Sequence, residues 1–145
     1  MAVSRARASW SGDLGGGEGS VSAESGVITD ASLTWQGRTE RPAGTTSPEE
    51  LLAAAHAGCY AMALSNTLAE AGHPPARLDV AAVLHFTPQD GGGFAIDRSE
   101  LTVTGDVPGI GEERFSELAL LGEQGCPVSN LFRGNAEITV AAALA

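Results

Sequence analysis

The segment covering residues 45–74 constrains the fold most, because it predicts one long helix that is apolar on almost every side. Ser47 followed by Pro48 is typical of a helix start: serine caps an unpaired N–H, proline fits the first turn, and Glu50 can reach back to the cap. Gly72, which precedes a pair of prolines, is a stop signal. The helix has about 24 residues and a length of about 36 Å. Such a helix must be buried by other elements or by a second subunit.

Alternating apolar and polar residues on both sides of this helix predict strands. Residues 1–44 predict a small β-meander, whose last strand begins at Leu33 and carries Arg38. The later predicted elements are a hairpin over residues 78–105, a helix over 111–124, a short helix after Cys126-Pro127, and a strand over 136–144. The predicted fold class is therefore α+β, with antiparallel sheets and a long buried central helix, in a single domain covering residues 1–145.

The charge pattern excludes several classes of partner. The formal net charge is −10, and the eight basic residues are all arginine. We expect neither nucleic acid nor membrane as a partner, because both need a basic face. Without lysine, Schiff-base chemistry and a P-loop are also excluded. No secretory signal is visible, and no stretch reaches the roughly 18 apolar residues of a membrane span, so we expect a cytoplasmic protein.

The chain has only two cysteines, Cys59 and Cys126, too few for a disulfide scaffold. The residues alone leave three interpretations open. The cysteines could be buried core residues. They could bind zinc together with His56 and His85. They could also form a redox or nucleophilic pair.

A reactive thiolate needs a nearby cation that lowers its pKa. Cys59 lies in the middle of the long helix and gains little from the helix dipole, which acts only within the first turn. Arg38 is a candidate cation for Cys59. Cys126 lies at a predicted helix start, where the thiol pKa can be lowered locally. The residues alone do not decide which cysteine attacks first.

Two motifs resemble those of the OsmC/Ohr family of thiol-dependent peroxidases. Pro-Glu-Glu-Leu at residues 48–51, followed by Ala-Ala-His-Ala-Gly-Cys at 54–59, resembles the central helix of the family. Gly-Cys-Pro-Val-Ser at 125–129 resembles its second-cysteine motif, and Val-Pro-Gly-Ile at 107–110 is similar to the OsmC branch. The resemblance covers nearly the whole chain. It implies an intertwined homodimer that reduces organic hydroperoxides, and hydrogen peroxide less well, without metal or prosthetic group.

The resemblance also implies roles for four residues. Cys59 matches the peroxidatic cysteine, which attacks the peroxide. Cys126 matches the resolving cysteine, which condenses with the sulfenic acid of Cys59 to a disulfide. Arg38 matches the arginine that stabilises thiolate and peroxide, and Glu49 matches the carboxylate that orients this arginine. Arg41 is a nearby alternative to Arg38.

The position of Glu49 bears on oligomeric state, and Glu50 is the alternative carboxylate. Glu49 and Cys59 are ten residues apart, about 15 Å along a continuous helix, so they cannot share a site in one straight helix. Either the helix breaks near Gly58, or Glu49 serves Cys59 of a partner subunit. The resemblance favours shared sites in a homodimer, with an external dithiol as reductant. The alternative function is a non-catalytic dimeric binding or scaffold protein of the same fold.

Overall fold

The structure is a computed structural model that describes all residues, Met1–Ala145. It divides into two compact units, Met1–Leu51 and Leu52–Ala145. The boundary between them falls inside the long helix. None of the helices is long and apolar enough to cross a membrane.

The first unit holds the predicted β-meander. Strands β1 (Ala6–Ser11), β2 (Glu18–Ala23) and β3 (Ala31–Thr34) form an antiparallel sheet in that order. The prediction that the third strand continues through Arg38 is wrong. The Thr34 hydroxyl accepts a hydrogen bond from the Gly37 N–H at 2.8 Å and so caps a short helix, α1 (Trp35–Thr39), which carries Arg38. A polar cap of this kind ends a strand, because it satisfies the first unpaired N–H groups of a helix.

The long helix, α2 (Pro48–Glu70), has the predicted ends. The Ser47 hydroxyl accepts from the Glu50 N–H at 3.1 Å, which is the predicted cap. The Glu50 carboxylate does not reach back to this cap; it accepts from the Thr46 hydroxyl at 2.6 Å instead. At the other end, Gly72 has a φ of +84°, and the His73 N–H donates to the carbonyl four residues before Gly72 at 2.8 Å. Glycine is suited to this left-handed position.

The second unit packs the rest of α2 with three strands and two helices. These are β4 (Arg77–Pro88), β5 (Phe94–Asp106), α3 (Glu112–Gln124), α4 (Pro127–Phe132) and β6 (Glu137–Leu144). The sheet order is β4-β5-β6. β4 and β5 form the predicted antiparallel hairpin, but β5 and β6 are parallel. The sheet is therefore mixed, because the chain passes through α3 and α4 before it returns to the sheet.

One stripe of α2 enters the core of the second unit. Every fourth residue along this stripe is fully buried, namely His56, Tyr60, Leu64 and Leu68. The three apolar members of this stripe pack in one cluster with residues of β5 and α3, among them Leu101, Val103, Phe115, Leu118 and Ala119. The opposite face of α2 is not covered by the chain itself, and Met62 there is 76% exposed. A single chain thus fully buries only one side of the apolar helix.

Candidate active site

The first unit presents an arginine–carboxylate pair built by α1 and the first turn of α2. Arg38 Nε donates to both carboxylate oxygens of Glu49, at 3.0 and 3.2 Å, and Arg38 Nη2 donates to Glu49 Oε1 at 2.7 Å. The Glu49 side chain is only 6% exposed. A buried carboxylate is tolerated where a guanidinium forks onto it, because the fork satisfies both oxygens. The pair fixes the orientation of the Arg38 guanidinium.

The two alternative residues, Arg41 and Glu50, form a different and more exposed group. Arg41 Nη1 donates to the Ser47 hydroxyl, and Arg41 Nη2 lies 3.5 Å from Glu50 Oε1. Arg41 also has a φ of +58°, a left-handed conformation that is uncommon for residues with a side chain. These contacts gather around the cap of α2. The geometry therefore separates a buried forked pair, Arg38 and Glu49, from a capping group.

The second unit brings the two cysteines together. Cys59 on α2 is partly exposed, whereas Cys126 is fully buried at the N-cap of α4. Both are free, and the thiols are near enough for Cys126 to raise the pKa of Cys59. The Ser129 N–H donates to Cys126 Sγ at 3.5 Å, and the backbone of Val128 lies where it lowers the pKa of Cys59. The predicted short helix with Pro127 at its first position is what places Cys126 here.

The surroundings of Cys59 in the second unit favour the thiol over the thiolate. Burial raises the pKa of Cys59, the Val128 N–H lowers it, and the neighbouring Cys126 raises it further. Burial outweighs the single backbone donor, because the charged form loses contact with water. No cation is among the groups that shift the pKa of Cys59, so a thiolate there needs one that the neighbours named here do not provide.

A buried polar group lies beside the cysteines, and the sequence analysis named its histidine, His56, only as a possible zinc ligand. His56 Nδ1 is hydrogen-bonded with Ser99 Oγ at 2.7 Å, and His56 Nε2 with Ser129 Oγ at 2.8 Å. The ring also packs edge-on against Phe132, with centroids 5.0 Å apart. Burial lowers the pKa of His56, against an opposing effect of Glu123. The only sequence signal was that His56 and Ser129 lie within the two cysteine motifs.

These contacts bear on the zinc interpretation. Both ring nitrogens of His56 are engaged by serine hydroxyls, so neither faces a metal position. His85 lies on β4, with Nδ1 3.4 Å from Arg98 Nη2 and Nε2 3.4 Å from Glu100 Oε2. The structure contains no group of three or more His, Cys, Asp or Glu residues that could hold a metal ion.

A second contact holds the far end of α4. Arg133 follows the last residue of α4, and its Nη2 donates to Glu123 Oε1 of α3 at 2.7 Å. The Glu123 side chain is 10% exposed. The Cys126 N–H donates to the Glu123 carbonyl at 3.1 Å, so the same residue also holds the turn that leads into α4. Helix α4 is thus attached to its neighbours at both ends.

Comparison with known proteins relates this arrangement to one family. The model of the family described as OsmC-like protein matches residues 41–141. Peroxiredoxin OsmC of Escherichia coli K12 is 41% identical over 136 residues, which cover 94% of this chain and 92% of that protein. The organic hydroperoxide resistance protein OhrB of Bacillus subtilis 168 is 27% identical over 124 residues, covering 86% of this chain and 88% of OhrB.

Solved structures share the fold. An organic hydroperoxide resistance protein from Elizabethkingia anophelis gives a TM-score of 0.76 at 27% identity, covering 99% of this chain and 98% of that one. The crystal structure of Bacillus subtilis OhrB gives a TM-score of 0.74 at 23% identity, covering 96% and 98% of the two chains. The predictions of family and of an α+β fold are confirmed. The chain belongs to the OsmC-like protein family.

Proposed function

We propose that this chain is a thiol-dependent peroxidase that reduces organic hydroperoxides, and hydrogen peroxide less well, in oxidative or osmotic stress defence. The observation that carries the proposal is the pair of free, neighbouring thiols, of which one is partly exposed and the other fully buried. The names of the relatives, peroxiredoxin and organic hydroperoxide resistance protein, support the same activity.

The reaction balances with two thiols and one peroxide. The Cys59 thiolate attacks a peroxide oxygen, the O–O bond breaks, and the alcohol leaves with a proton. Cys59 is thereby oxidised to a sulfenic acid. Cys126 sulfur then bonds to Cys59 sulfur, the S–O bond breaks, and oxygen leaves as water with the Cys126 proton. An external dithiol reduces the Cys59–Cys126 disulfide by exchange.

The order of attack follows from exposure. Cys59 is partly exposed and Cys126 is fully buried. A substrate from solution therefore meets Cys59 first. This supports Cys59 as the peroxidatic cysteine and Cys126 as the resolving one, an order that the residues alone left open.

Arg38 and Glu49 complete the site in this proposal. Cys59 needs a cation that is not among the groups shifting its pKa, and Glu49 holds the Arg38 guanidinium in a fixed orientation. Helix α2 is unbroken from Pro48 to Glu70, so ten residues separate Glu49 from Cys59 by about 15 Å along its axis. We therefore assign Arg38 and Glu49 of one subunit to Cys59 of its partner, in an intertwined homodimer with shared sites.

The remaining parts of the proposal concern the whole chain. Residues 1–145 act as one OsmC-like domain, which the 94% coverage by the Escherichia coli relative supports. The catalytic cycle ends with reduction of a disulfide, and the cytoplasm provides the dithiols for this step. A cytoplasmic enzyme is consistent with that requirement.

Thiol titration before and after one equivalent of cumene hydroperoxide tests the function. We expect the parent to lose both thiols and to recover them with a dithiol. Cys59→Ser should keep its one thiol, because the attacking group is missing. Cys126→Ser should lose its one thiol, because a sulfenic acid forms and is not resolved. A parent protein that keeps both thiols would overturn the proposal and favour a non-catalytic dimeric binding or scaffold protein.

A further inference from the structure

Three fully buried polar side chains form a continuous chain of hydrogen bonds, Ser99–His56–Ser129, here called the His56 relay. It joins three elements, because His56 lies on α2, Ser99 on β5 and Ser129 on α4. The steps of peroxide reduction described above do not use it.

Burying the polar relay costs more free energy than burying apolar side chains of similar size. Buried polar groups cost free energy unless each finds a partner, and apolar residues of similar size would pack without that requirement. What hydrogen bonds add is direction, since apolar contacts alone do not fix the rotation of one element against another. The relay fixes α4 relative to α2 at one defined position.

That position lies next to the buried cysteine. Ser129 bonds His56 through its side chain and donates to Cys126 Sγ through its backbone N–H at 3.5 Å. Helix α4 has only six residues, and an isolated helix of that length is not stable in water. Its placement, and that of Cys126, therefore depends on such tertiary contacts.

The relay also fixes the position of α4 relative to α2, the helix that carries the other cysteine. His56 precedes Cys59 by three residues on α2, so the two side chains project from adjacent positions of one helix face. A displacement of α4 against His56 is consequently a displacement of Cys126 against Cys59.

We propose that the His56 relay positions Cys126 for the resolving step, so that the Cys59–Cys126 disulfide forms before a second peroxide oxidises the Cys59 sulfenic acid. His56 and Ser129 are positioning residues, and neither touches the peroxide. The inference rests on the proposed function. The step itself is the one balanced above: a sulfur–sulfur bond replaces the S–O bond, and water leaves with the Cys126 proton.

The variant Ser129→Ala removes the hydroxyl that joins α4 to His56. We expect disulfide formation to slow by roughly ten- to hundredfold, the usual effect of misplacing a reacting group by about 1 Å. The first oxidation of Cys59 should slow far less, since Cys59 keeps its place on α2 and only the Val128 backbone, whose effect on the Cys59 pKa is smaller than that of burial, moves with α4. At excess peroxide, sulfinic acid at Cys59 should accumulate, because the sulfenic acid lives longer.

The experiment is rapid mixing with cumene hydroperoxide, followed by quenching with a sulfenic-acid trap and mass spectrometry of the intact chain. It resolves the rates of sulfenic acid, disulfide and sulfinic acid formation. Ser22→Ala is the matched control: Ser22 is a buried, hydrogen-bonded serine of the first unit, which accepts from the Asp30 N–H at 2.9 Å. It should leave all three rates unchanged, whatever stability it costs.

The outcomes separate the inference from the proposed function. Disulfide formation that slows clearly more than the first oxidation supports the relay. Disulfide formation at the parent rate in folded Ser129→Ala, or a first oxidation slowed as much as the second, overturns the relay and leaves the peroxidase assignment intact. A parent that forms no disulfide overturns the function itself. If circular dichroism shows Ser129→Ala unfolded, Ser99→Ala tests the other end of the relay with the same expectation.

Discussion

Arg38 and Arg41 are three residues apart, yet their side chains have different surroundings. Arg38 forks onto the buried Glu49 carboxylate, whereas Arg41 contacts the Ser47 hydroxyl and the exposed Glu50. A guanidinium held by two parallel hydrogen bonds keeps one orientation, and an ammonium group cannot reproduce this geometry. The motif left the choice between the two arginines open. Both carry the same charge, and they differ in that the Arg38 guanidinium is held in one orientation.

Substitution by lysine separates the two roles. Arg38→Lys keeps the charge but loses the fork, and charged hydrogen bonds are worth about 1.5–3 kcal/mol each. We expect peroxidase activity to fall roughly ten- to hundredfold, measured as the second-order rate constant with cumene hydroperoxide. Arg41→Lys is the matched control and should stay near the parent value. Equal losses in both variants would contradict the assignment of Arg38.

The buried imidazole predicts acid sensitivity. Burial lowers the pKa of His56, against Glu123, and the other groups that face the ring are Ser99, Ser129 and Phe132. Below the ordinary histidine pKa of about 6.5 the unfolded chain binds a proton that the folded His56 does not. Stability is therefore complete above that pH and falls as the pH drops, by at most about 1.4 kcal/mol per pH unit.

Urea unfolding between pH 7.5 and pH 5.5 measures this effect. His56→Gln should show a flatter dependence of the unfolding free energy on pH than the parent, even though its absolute stability is lower. The comparison uses the slope of the unfolding free energy against pH, so the loss of stability that the substitution itself causes cancels. Identical slopes in the parent and His56→Gln would mean that His56 binds its proton equally well in the folded and in the unfolded chain.

At the level of elements, the sequence predicted the features that depend on residues close together in the chain, such as helix ends. The ends of α2 and the start of α4 follow from short cap and proline signals at Ser47, Gly72 and Cys126, and the structure has them there. The parallel pairing of β6 with β5 was not predictable in this way, because it depends on how a long connection returns.

The polar interior of the site was missed for the same reason. His56 is separated from Ser99 by 43 positions and from Ser129 by 73. No periodicity within one element indicates such a contact, and each residue alone is compatible with a surface or a core position. The motifs identified the cysteines, and only the folded chain shows what surrounds them.

The cap of α2 gives a test at this scale. Ser47 accepts from the Glu50 N–H and from Arg41, so Ser47→Ala should cost about 0.5–2 kcal/mol of unfolding free energy in chemical denaturation. Thr46→Ala is the control, because the Thr46 hydroxyl bonds only the exposed Glu50 carboxylate. It should cost less than about 0.5 kcal/mol. A larger loss in Thr46→Ala than in Ser47→Ala would show that the cap lies elsewhere.

At the scale of the molecule, α2 has an apolar face that the single chain leaves uncovered. Met62 is 76% exposed in the middle of this apolar helix. In the proposed homodimer this face lies against the partner, so Met62→Asp would bury a carboxylate without a cation. We expect dissociation to monomers in sedimentation velocity and a parallel loss of peroxidase activity. Val27→Asp, a similarly drastic change at an 87% exposed position, is the control and should remain dimeric.

Subunit mixing tests whether the sites are shared. Arg38→Lys and Cys59→Ser should each be strongly impaired as homodimers. In a mixed dimer with shared sites, Cys59 of the first subunit meets the intact Arg38 of the second, so one of the two sites is complete. Random pairing of equal amounts makes half of the dimers mixed, and co-expression should restore about a quarter of the parent activity.

The same experiment has a distinct outcome if each chain builds its own site. The chain that keeps Cys59 would then always have the Arg38→Lys substitution in its own site, and mixing would restore nothing beyond the activity of Arg38→Lys alone. The dithiol cycle would be unaffected in either case, because Cys59 and Cys126 contact each other within one chain. Restoration of activity by mixing therefore reports on the position of Arg38 and not on the resolving step, which makes it independent of the His56 relay.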